Sequence, residues 1–415
     1  MKDRLFYKDI KEGISKSYQD LVNDLNKQTT YNKYCRQESY YGTFRQLILS
    51  LVLDEEIVLL DTDFSDEEIK NLTDGYFSSA EKDVKLLTHG DITFETLKEA
   101  LLRKNGKWRV TLFTSGTTGI PKKVSHSLTS ITRFVKLSQK HQNDTWGFAY
   151  NPTHIAGLQV FFQAFLNFNT IIRLFGVPRD ELLQLIAEDR ITHISATPTF
   201  YRLLLPSDKK LPTVRRITSG GEKFDDATMN DLLKMFVNAQ FTNVYASTEA
   251  GSLLASKGDA FTLKEGLRDF VKVKNNELFL HHSLMGDSEN IQLQNGWYAT
   301  GDLVAVIDEA PFTFKVISRK NEMINVGGYK VNPTEVEEAI RSYPNVEDAF
   351  VYAKQNRILG NLVCAEVVCP KEGITEREIR TYLKGKLQEF KIPRMITFVK
   401  LLNVTRTGKI ARNKS

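Results

Sequence analysis

The sequence predicts an α/β fold: a large part built on parallel sheet, a β-rich segment after it, and a small α+β unit at the end. Three observations carry this. From residue 108, short apolar runs alternate with amphipathic helical patterns. After residue 271, strand-like runs crowd together, separated by the turn pairs Asn275-Asn276 and Asn295-Gly296. Beyond Arg319 the order becomes mixed.

In the first part, strands are expected at 109–113, 145–149, 170–174, 193–196, 216–218 and 242–245. Helices are expected between them at 127–139, 157–166, 181–188, 200–205 and 225–236. Regular strand–helix alternation argues for crossover connections and a largely parallel sheet. Ligands of such sheets sit beyond the carboxyl ends of the strands. In the β-rich segment, 277–281 reads as a strand. In the last part, 333–341 reads as a helix, with Pro333 in its first turn and acidic residues following. Strands are expected at 346–353 and 362–368, and a helix at 375–387 that starts on Thr375. No internal repeat or low-complexity linker marks a boundary, so the division into 1–318 and 319–415 rests on pattern.

The bulk properties narrow the function. At 415 residues the chain exceeds one ordinary core, and two or more domains are expected. A 41% hydrophobic and 26% charged composition is that of a soluble globular protein. The net charge is +5, but 56 basic and 51 acidic residues are mixed along the chain with no basic block. This argues against nucleic acid as a partner and suits small anionic substrates. Cys35, Cys364 and Cys369 are sparse and not spaced as CxxC, so a disulfide framework or cysteine zinc site is not expected and a reducing cytoplasm fits. The start, MKDRLFYKDIKEG, lacks the apolar run of a signal peptide. Apolar stretches such as 47–53 are too short to span a bilayer.

The sharpest local signal is Thr114-Ser115-Gly116-Thr117-Thr118-Gly119-Ile120-Pro121-Lys122-Lys123, directly after an expected strand. Two glycines let the backbone turn tightly and approach a ligand. Hydroxyls, free backbone N–H groups and two lysines all favour an anion. No Lys-Ser/Thr follows the second glycine, so this is not the GxxxxGK[ST] phosphate loop. A polar surface turn would have a similar composition.

Read together, several segments resemble the acyl-adenylate-forming superfamily of AMP-dependent synthetases and ligases. The resemblance runs in order from Phe113 to the C-terminus. FTSGTTGIPKK resembles the phosphate loop, and NPTHIAGL (151–158) the segment lining the acyl pocket. SGGE (219–222), with Gly220, Gly221 and Glu222, resembles the turn beside the adenine. YASTEAG (245–251) resembles Tyr-Gly-x-Thr-Glu, and WYATGDL (297–303) resembles Trp-x-x-Thr-Gly-Asp. SRKNEMINVGGYKVNPTEVE (318–337) resembles the hinge and first loop of the small domain, and TGKI (407–410) the lysine loop.

The resemblance implies a reaction. A carboxylate attacks the α-phosphorus of ATP, pyrophosphate leaves, and the acyl group passes to a thiol. Both reactants are anionic, so catalysis is largely positioning and charge neutralisation. By resemblance Glu249 holds Mg²⁺, with Thr117 and Thr248 near the phosphates and Ser247 among the ATP/AMP-binding residues; hard oxygen ligands suit that ion. Thr114, Ser115, Gly116, Thr118, Gly119 and Lys122 form the phosphate loop. Asp302 accepts from the ribose hydroxyls, Arg319 reaches ribose or phosphate, and Tyr245 stacks on or flanks the adenine. Lys409 is the catalytic lysine, bridging carboxylate and α-phosphate. His154 and Gly157 line the acyl pocket. Lys320 and Asn321 form the hinge of a rotating lid, and Gly327 and Gly328 line the thiol tunnel, where the absence of Cβ lets a pantetheine arm pass.

The sequence also departs from the family pattern. Lys123, Ala246 and Ser318 stand where glycine is usual, and Asn321 where an aspartate is common. The phosphate loop begins near residue 114, tens of residues early, so the N-terminal subdomain, about 1–105, is abbreviated. NPTHIAGLQVFFQAFLNFN is apolar and aromatic and resembles aryl-CoA and o-succinylbenzoyl-CoA synthetases more than amino-acid-activating domains. The implied acid is apolar or aryl, without an α-amino group. CoA is the expected acceptor, and the pantetheine arm of a carrier protein is the alternative. A different class of reading, a non-catalytic homologue that binds nucleotide or acyl ligand, must contend with the presence of Thr117, Glu249, Asp302, Arg319 and Lys409. Many relatives dimerise, so a homodimer is an expectation by analogy.

Overall fold

The structure is a computed structural model. It describes residues 2–62, 64–73, 84–86, 92–103, 106–114, 122–220, 226–288, 291–326, 329–356, 360–370 and 373–403. Its largest sheet has eight strands, in the order Gly251–Ser256, Gln240–Ser247, Arg216–Gly220, His193–Ala196, Thr145–Phe148, Thr170–Arg173, Leu5–Asp9 and Ile14–Ser17. The six inner strands run parallel and the two edge strands antiparallel. Helices Ile155–Leu166, Arg179–Glu188, Pro198–Leu203 and Asp226–Met235 make the crossovers, as the alternation requires.

A second sheet contains Tyr34–Cys35, Ile57–Leu59, Arg109–Thr114 and Lys122–Ser127. One apolar cluster joins the two sheets through the helices Tyr40–Leu53 and Ile155–Leu166. Phe44 stacks on Phe161 at 4.7 Å between ring centroids, and both are fully buried. Each such ring contributes about 1.5–3 kcal/mol by leaving water.

The β-rich segment is an antiparallel sheet of Ala260–Thr262, Phe312–Arg319, Trp297–Glu309, Glu277–His281 and Val271–Lys274, with Leu293–Gln294 beside Trp297–Glu309. Both anticipated turns are two-residue hairpin turns. Asn275 and Asn276 have φ of 53° and 60°, and Asn295 and Gly296 have 52° and 83°. Asparagine and glycine tolerate that left-handed backbone, and its twist matches the flanking strands. The last sheet contains Tyr329–Val331, Ile324–Val326, Gly360–Val368, Asp348–Asn356 and Met395–Val399. Helices Pro333–Arg341 and Glu376–Lys384 pack on it through Val336, Ile340, Ile379 and Leu383, in a core of its own.

Two departures from the sequence expectation bear on the main sheet. The helix expected at 127–139 is only Leu128–Ile131, followed by turns and the short 3₁₀ segment Gln139–His141. The cause is tertiary. Gln163 Oε1 accepts from Lys136 N at 2.9 Å, while Gln163 Nε2 and Asn167 Nδ2 donate to Lys136 O. Side chains from and beside the neighbouring helix therefore satisfy backbone groups that a longer helix would have used. The strand Leu5–Asp9 has no counterpart in the sequence expectation: it forms a local antiparallel pair with Ile14–Ser17, and it joins the main sheet far along the chain, where Tyr7 and Lys8 pair with Ile171 and Ile172. It is anchored by buried Asp9, which accepts from Arg173 at 2.8 Å. Arg173 also bonds Glu12 and lies 3.8 Å over the ring of Tyr40. A buried charge persists only when so compensated.

The cysteines are free thiols, with Cys35 and Cys364 buried. Burial pushes the Cys35 thiol up to about 12. Among the described residues no helix is long and apolar enough to cross a membrane.

Candidate nucleotide and acyl site

The carboxyl ends of the parallel strands bring several expected site residues to one edge. Gly220 ends Arg216–Gly220, Ser247 ends Gln240–Ser247, and Asn151 follows Thr145–Phe148. A Cβ on Gly220 would lie 3.1 Å from Val244 O, closer than side chains ordinarily pack. The segment expected to form the phosphate loop is bracketed by Thr114 and Lys122, which are cross-strand partners in an antiparallel pair. Ser115, Gly116, Thr117, Thr118 and Gly119 lie outside the described residues, as do Gly221, Glu222, Gly327, Gly328 and Lys409.

Thr248 and Glu249 occupy the turn between Gln240–Ser247 and Gly251–Ser256. Three neighbours hold this turn. Thr248 O is bonded by His126 Nε2 at 2.8 Å. Glu249 O accepts from Gly286 N at 2.7 Å. Glu249 Oε1 receives the Tyr298 hydroxyl at 3.3 Å. The residue with positive φ here is Gly251, at 67°, so alanine at 246 costs no backbone strain. Gln159, on the helix Ile155–Leu166, accepts from both Ser252 N and Ser252 Oγ, tying helix to turn. Glu249 is half-buried, and no cation among the described residues lies within ion-pair distance of it. A carboxylate whose described side-chain partner is one long phenol bond fits a hard dication.

The second cluster lies on the antiparallel sheet. Asp302 and Arg319 are cross-strand partners in register. Arg319 Nε donates to Asp302 Oδ1 at 2.9 Å, and the Tyr245 hydroxyl donates to Oδ2 at 2.5 Å. Asp302 is buried, while the Arg319 side chain is half exposed. Burial, and then the Asp302 carboxylate, push the Tyr245 phenol well above the usual tyrosine value, so it stays protonated and donates. The ring of Tyr245 packs against Phe261 in the core. A carboxylate has about four acceptor sites, and these two bonds leave room for more. Burial and Glu249 likewise raise the Tyr298 phenol, which also feels Asp302 and Arg319. The two clusters thus share one electrostatic neighbourhood.

Lys320 and Asn321 sit in the turn that links this sheet to the last one. Lys320 N donates to Gly301 O at 2.8 Å, and its ammonium pairs with Glu277 at 2.9 Å. Ser318 is buried, with its hydroxyl on Met323 Sδ at 3.4 Å.

His154 caps the helix Ile155–Leu166. Its Nε2 is buried, makes no hydrogen bond among the described residues, and lies 3.5 Å from Asp61 Oδ2. That oxygen also accepts from Asn151 Nδ2 and Thr153 Oγ1, at 3.1 Å each. At Gly157 an added Cβ would meet Asn151 O at 2.3 Å. The contact is with backbone, so the chain itself must move. Gly157→Ala is expected to lower stability by about 1–3 kcal/mol in a denaturant melt.

Sequence reading missed Asp61, His126, Gln159 and Tyr298. Tyr298 stood inside a recognised motif and could have been found there. The others act through contacts with residues far away in the chain. His126 yields a pH prediction. Burial lowers its pKa below the ordinary 6.5, and Arg133 adds to this, while the Thr248 carbonyl, Glu249 and Asp287 oppose it. A lowered native value means that the unfolded chain takes up the proton first. The stabilisation is therefore complete above 6.5 and lost as pH falls from there toward the native value. Melting temperatures across this range should show a steeper acid loss for the wild type than for His126→Asn.

Comparison with known proteins bears on this arrangement. The family model described as AMP-binding enzyme matches residues 52–269, and that of the AMP-binding enzyme C-terminal domain matches 335–409. The chain is similar to 2-succinylbenzoate–CoA ligase of Listeria monocytogenes serotype 4b, at 27% identity over 334 residues, spanning 73% of this chain and 68% of that protein. The ligase of the same name from Staphylococcus aureus strain Newman is 28% identical over 330 residues, 73% of this chain and 65% of its own length, just under two thirds. Among solved structures, ATP-bound MatB from Rhodopseudomonas palustris has a TM-score of 0.71 at 18% identity, covering 98% of this chain and 94% of that one. The o-succinylbenzoate CoA synthetase of Bacillus subtilis, in complex with the acyl-adenylate intermediate OSB-AMP, has 0.69 at 19%, covering 99% and 95%. At such identities these likenesses establish the fold.

Proposed function

This chain belongs to the AMP-binding enzyme family as an AMP-forming ligase, and we propose that it activates an aryl or apolar carboxylic acid and transfers the acyl group to CoA. The observation that carries this reading is the buried Asp302, gripped by Tyr245 and Arg319 in the electrostatic neighbourhood of Glu249. The relatives' acid, 2-succinylbenzoate, supports the aryl class. So does the wall offered by Ile155–Leu166, which is apolar apart from its glutamines.

In this reading Asp302 accepts from the ribose hydroxyls with its remaining lone pairs, and Arg319 turns its exposed end to ribose or phosphate. Tyr245 holds Asp302 in place and flanks the adenine. Thr114, Ser115, Gly116, Thr117, Thr118, Gly119 and Lys122 wrap the phosphates, while Gly220, Gly221, Glu222 and Ser247 line the nucleotide. Glu249 and Thr248, on a turn braced by His126, would hold Mg²⁺, which supplies charge neutralisation at the phosphates. Lys409 would bridge the acid and the α-phosphate. His154 and Gly157 border the acyl pocket. Residues 1–318 and 319–415 would be separate bodies hinged at Lys320 and Asn321, with Gly327 and Gly328 presented to the thiol in the second step.

The test is acid-dependent pyrophosphate release from Mg-ATP over a panel of aryl, aliphatic and amino acids, followed by thioester assays with CoA and with a pantetheinylated carrier protein. Aryl acids, 2-succinylbenzoate among them, are expected to be turned over best, and CoA to be acylated. Preferential turnover of an amino acid would overturn the substrate class, and exclusive acylation of the carrier would overturn the acceptor.

A further inference from the structure

At the opposite edge of the main sheet, where parallel strands begin, three side chains converge that the ligase chemistry does not use. His141 ends the 3₁₀ segment Gln139–His141, Asp144 immediately precedes the strand Thr145–Phe148, and His193 opens the strand His193–Ala196. The parallel register sets His193 beside Trp146, which brings the starts of the two strands together. His141 Nδ1 is 2.8 Å from Asp144 Oδ2, and His193 Nε2 is 3.5 Å from the same oxygen. The three donor atoms all lie within 4.8 Å of one another.

We propose that His141, Asp144 and His193 form a binding site for a divalent transition-metal ion of the zinc class, separate from the nucleotide site. Two imidazoles and one carboxylate suit zinc, cobalt or nickel rather than magnesium. Bond lengths near 2.0–2.2 Å put tetrahedral donors about 3.4 Å apart. The spacing found brackets that value, so a small outward turn of the His141 ring would complete the set. Asp144 and His193 are buried, and His141 is the partly exposed member that can make this turn.

The surroundings already orient the donors. His193 Nδ1 is 2.8 Å from Thr192 Oγ1, which is itself fixed by Thr145 N and Thr145 O. The Trp146 ring lies 4.8 Å from the His193 ring. His141 O accepts from Asn169 Nδ2. Such outer contacts set tautomer and ring orientation in metal sites. Two cations among the described residues bear on the cluster: Arg216, the cross-strand partner of His193, and Arg215, 3.6 Å from Asp144 Oδ1 with a side chain more than half exposed. Arg215 faces the oxygen that the histidines do not use, and it can withdraw into solvent. The fourth coordination position would be taken by water on the His141 side. The ion would pin the segment ahead of Thr145 to the sheet, a structural role at the opposite end of the parallel strands from Gly220 and Ser247.

The test uses the full chain stripped of metal by chelator dialysis. Co²⁺ is titrated in and followed by its visible d–d absorption, with Zn²⁺ as competitor, for wild type, His141→Ala and Asp144→Asn. Circular dichroism checks that each variant is folded; His141 is partly exposed, so its truncation leaves the core intact. The expected result is one saturable equivalent of Co²⁺, displaced by Zn²⁺ and not by Mg-ATP. Affinity should fall at least about tenfold in either variant. Zn²⁺ should also raise the melting temperature of the wild type by several degrees, and not that of His141→Ala. Absence of a saturable signal, equal affinity in folded His141→Ala, or displacement by Mg-ATP would each overturn the site. Because the readout is metal binding, its failure leaves the ligase reading untouched.

Discussion

Lys409→Ala is expected to lower acid-dependent pyrophosphate release by about 10²–10³-fold, with ATP affinity changed far less. The transition state gathers the negative charge of a carboxylate and an α-phosphate at one point. A single ammonium placed between them acts where charge is greatest and contributes little to holding the ground-state nucleotide. Lys409 lies outside the described residues, and its role rests on the TGKI segment. Steady-state kinetics in ATP and acid separate the outcomes. A fall in kcat with a steady KM supports the role. Unchanged kcat would remove Lys409 from the first half-reaction. If release falls while CoA acylation from supplied acyl-adenylate persists, the lysine acts in adenylation alone, as a lid that turns between two steps requires.

Asp302→Ala is expected to raise the KM for ATP by about 10–100-fold, from losing one or two charge-assisted hydrogen bonds to ribose. It should also destabilise the fold by about 1–3 kcal/mol. The substitution strips the buried Tyr245 hydroxyl of its acceptor and leaves Arg319 without its partner. Tyr245→Phe separates the two effects. It removes one bond to the carboxylate but leaves the carboxylate itself, so stability should drop modestly and KM for ATP should rise less than tenfold. Equal KM values in Asp302→Ala and wild type would remove Asp302 from nucleotide binding, whatever its effect on folding.

Much of the architecture was legible in the chain. Regular alternation from residue 108 implied the parallel sheet, since period-2 and period-3.6 patterns each suit only one element. The helix Pro333–Arg341 has the bounds that the sequence predicts, because proline at the first turn is local chemistry. Asn275-Asn276 and Asn295-Gly296 mark turns because few residues accept positive φ. Local signals failed where distant groups intervened. The 127–139 pattern looks helical, yet Gln163 and Asn167 claim the backbone of Lys136. Leu5–Asp9 enters the main sheet only because Thr170–Arg173 lies alongside it.

The candidate site divides in the same way. The sequence by itself determined which chemical groups are present and in what order: the glycine- and hydroxyl-rich loop, Glu249 after Thr248, Asp302 after Gly301, and Arg319 at a strand end. Each is read from neighbours within a few residues, where composition and spacing carry information. Only the tertiary structure decided which groups hold them. Tyr245 bonds Asp302 across 57 residues, and His126 bonds Thr248 across 122. Asp144 meets His193 because two parallel strands begin side by side. Such pairings depend on how sheets stack and register, which is settled by burial of the whole core and leaves no mark in any short stretch of sequence.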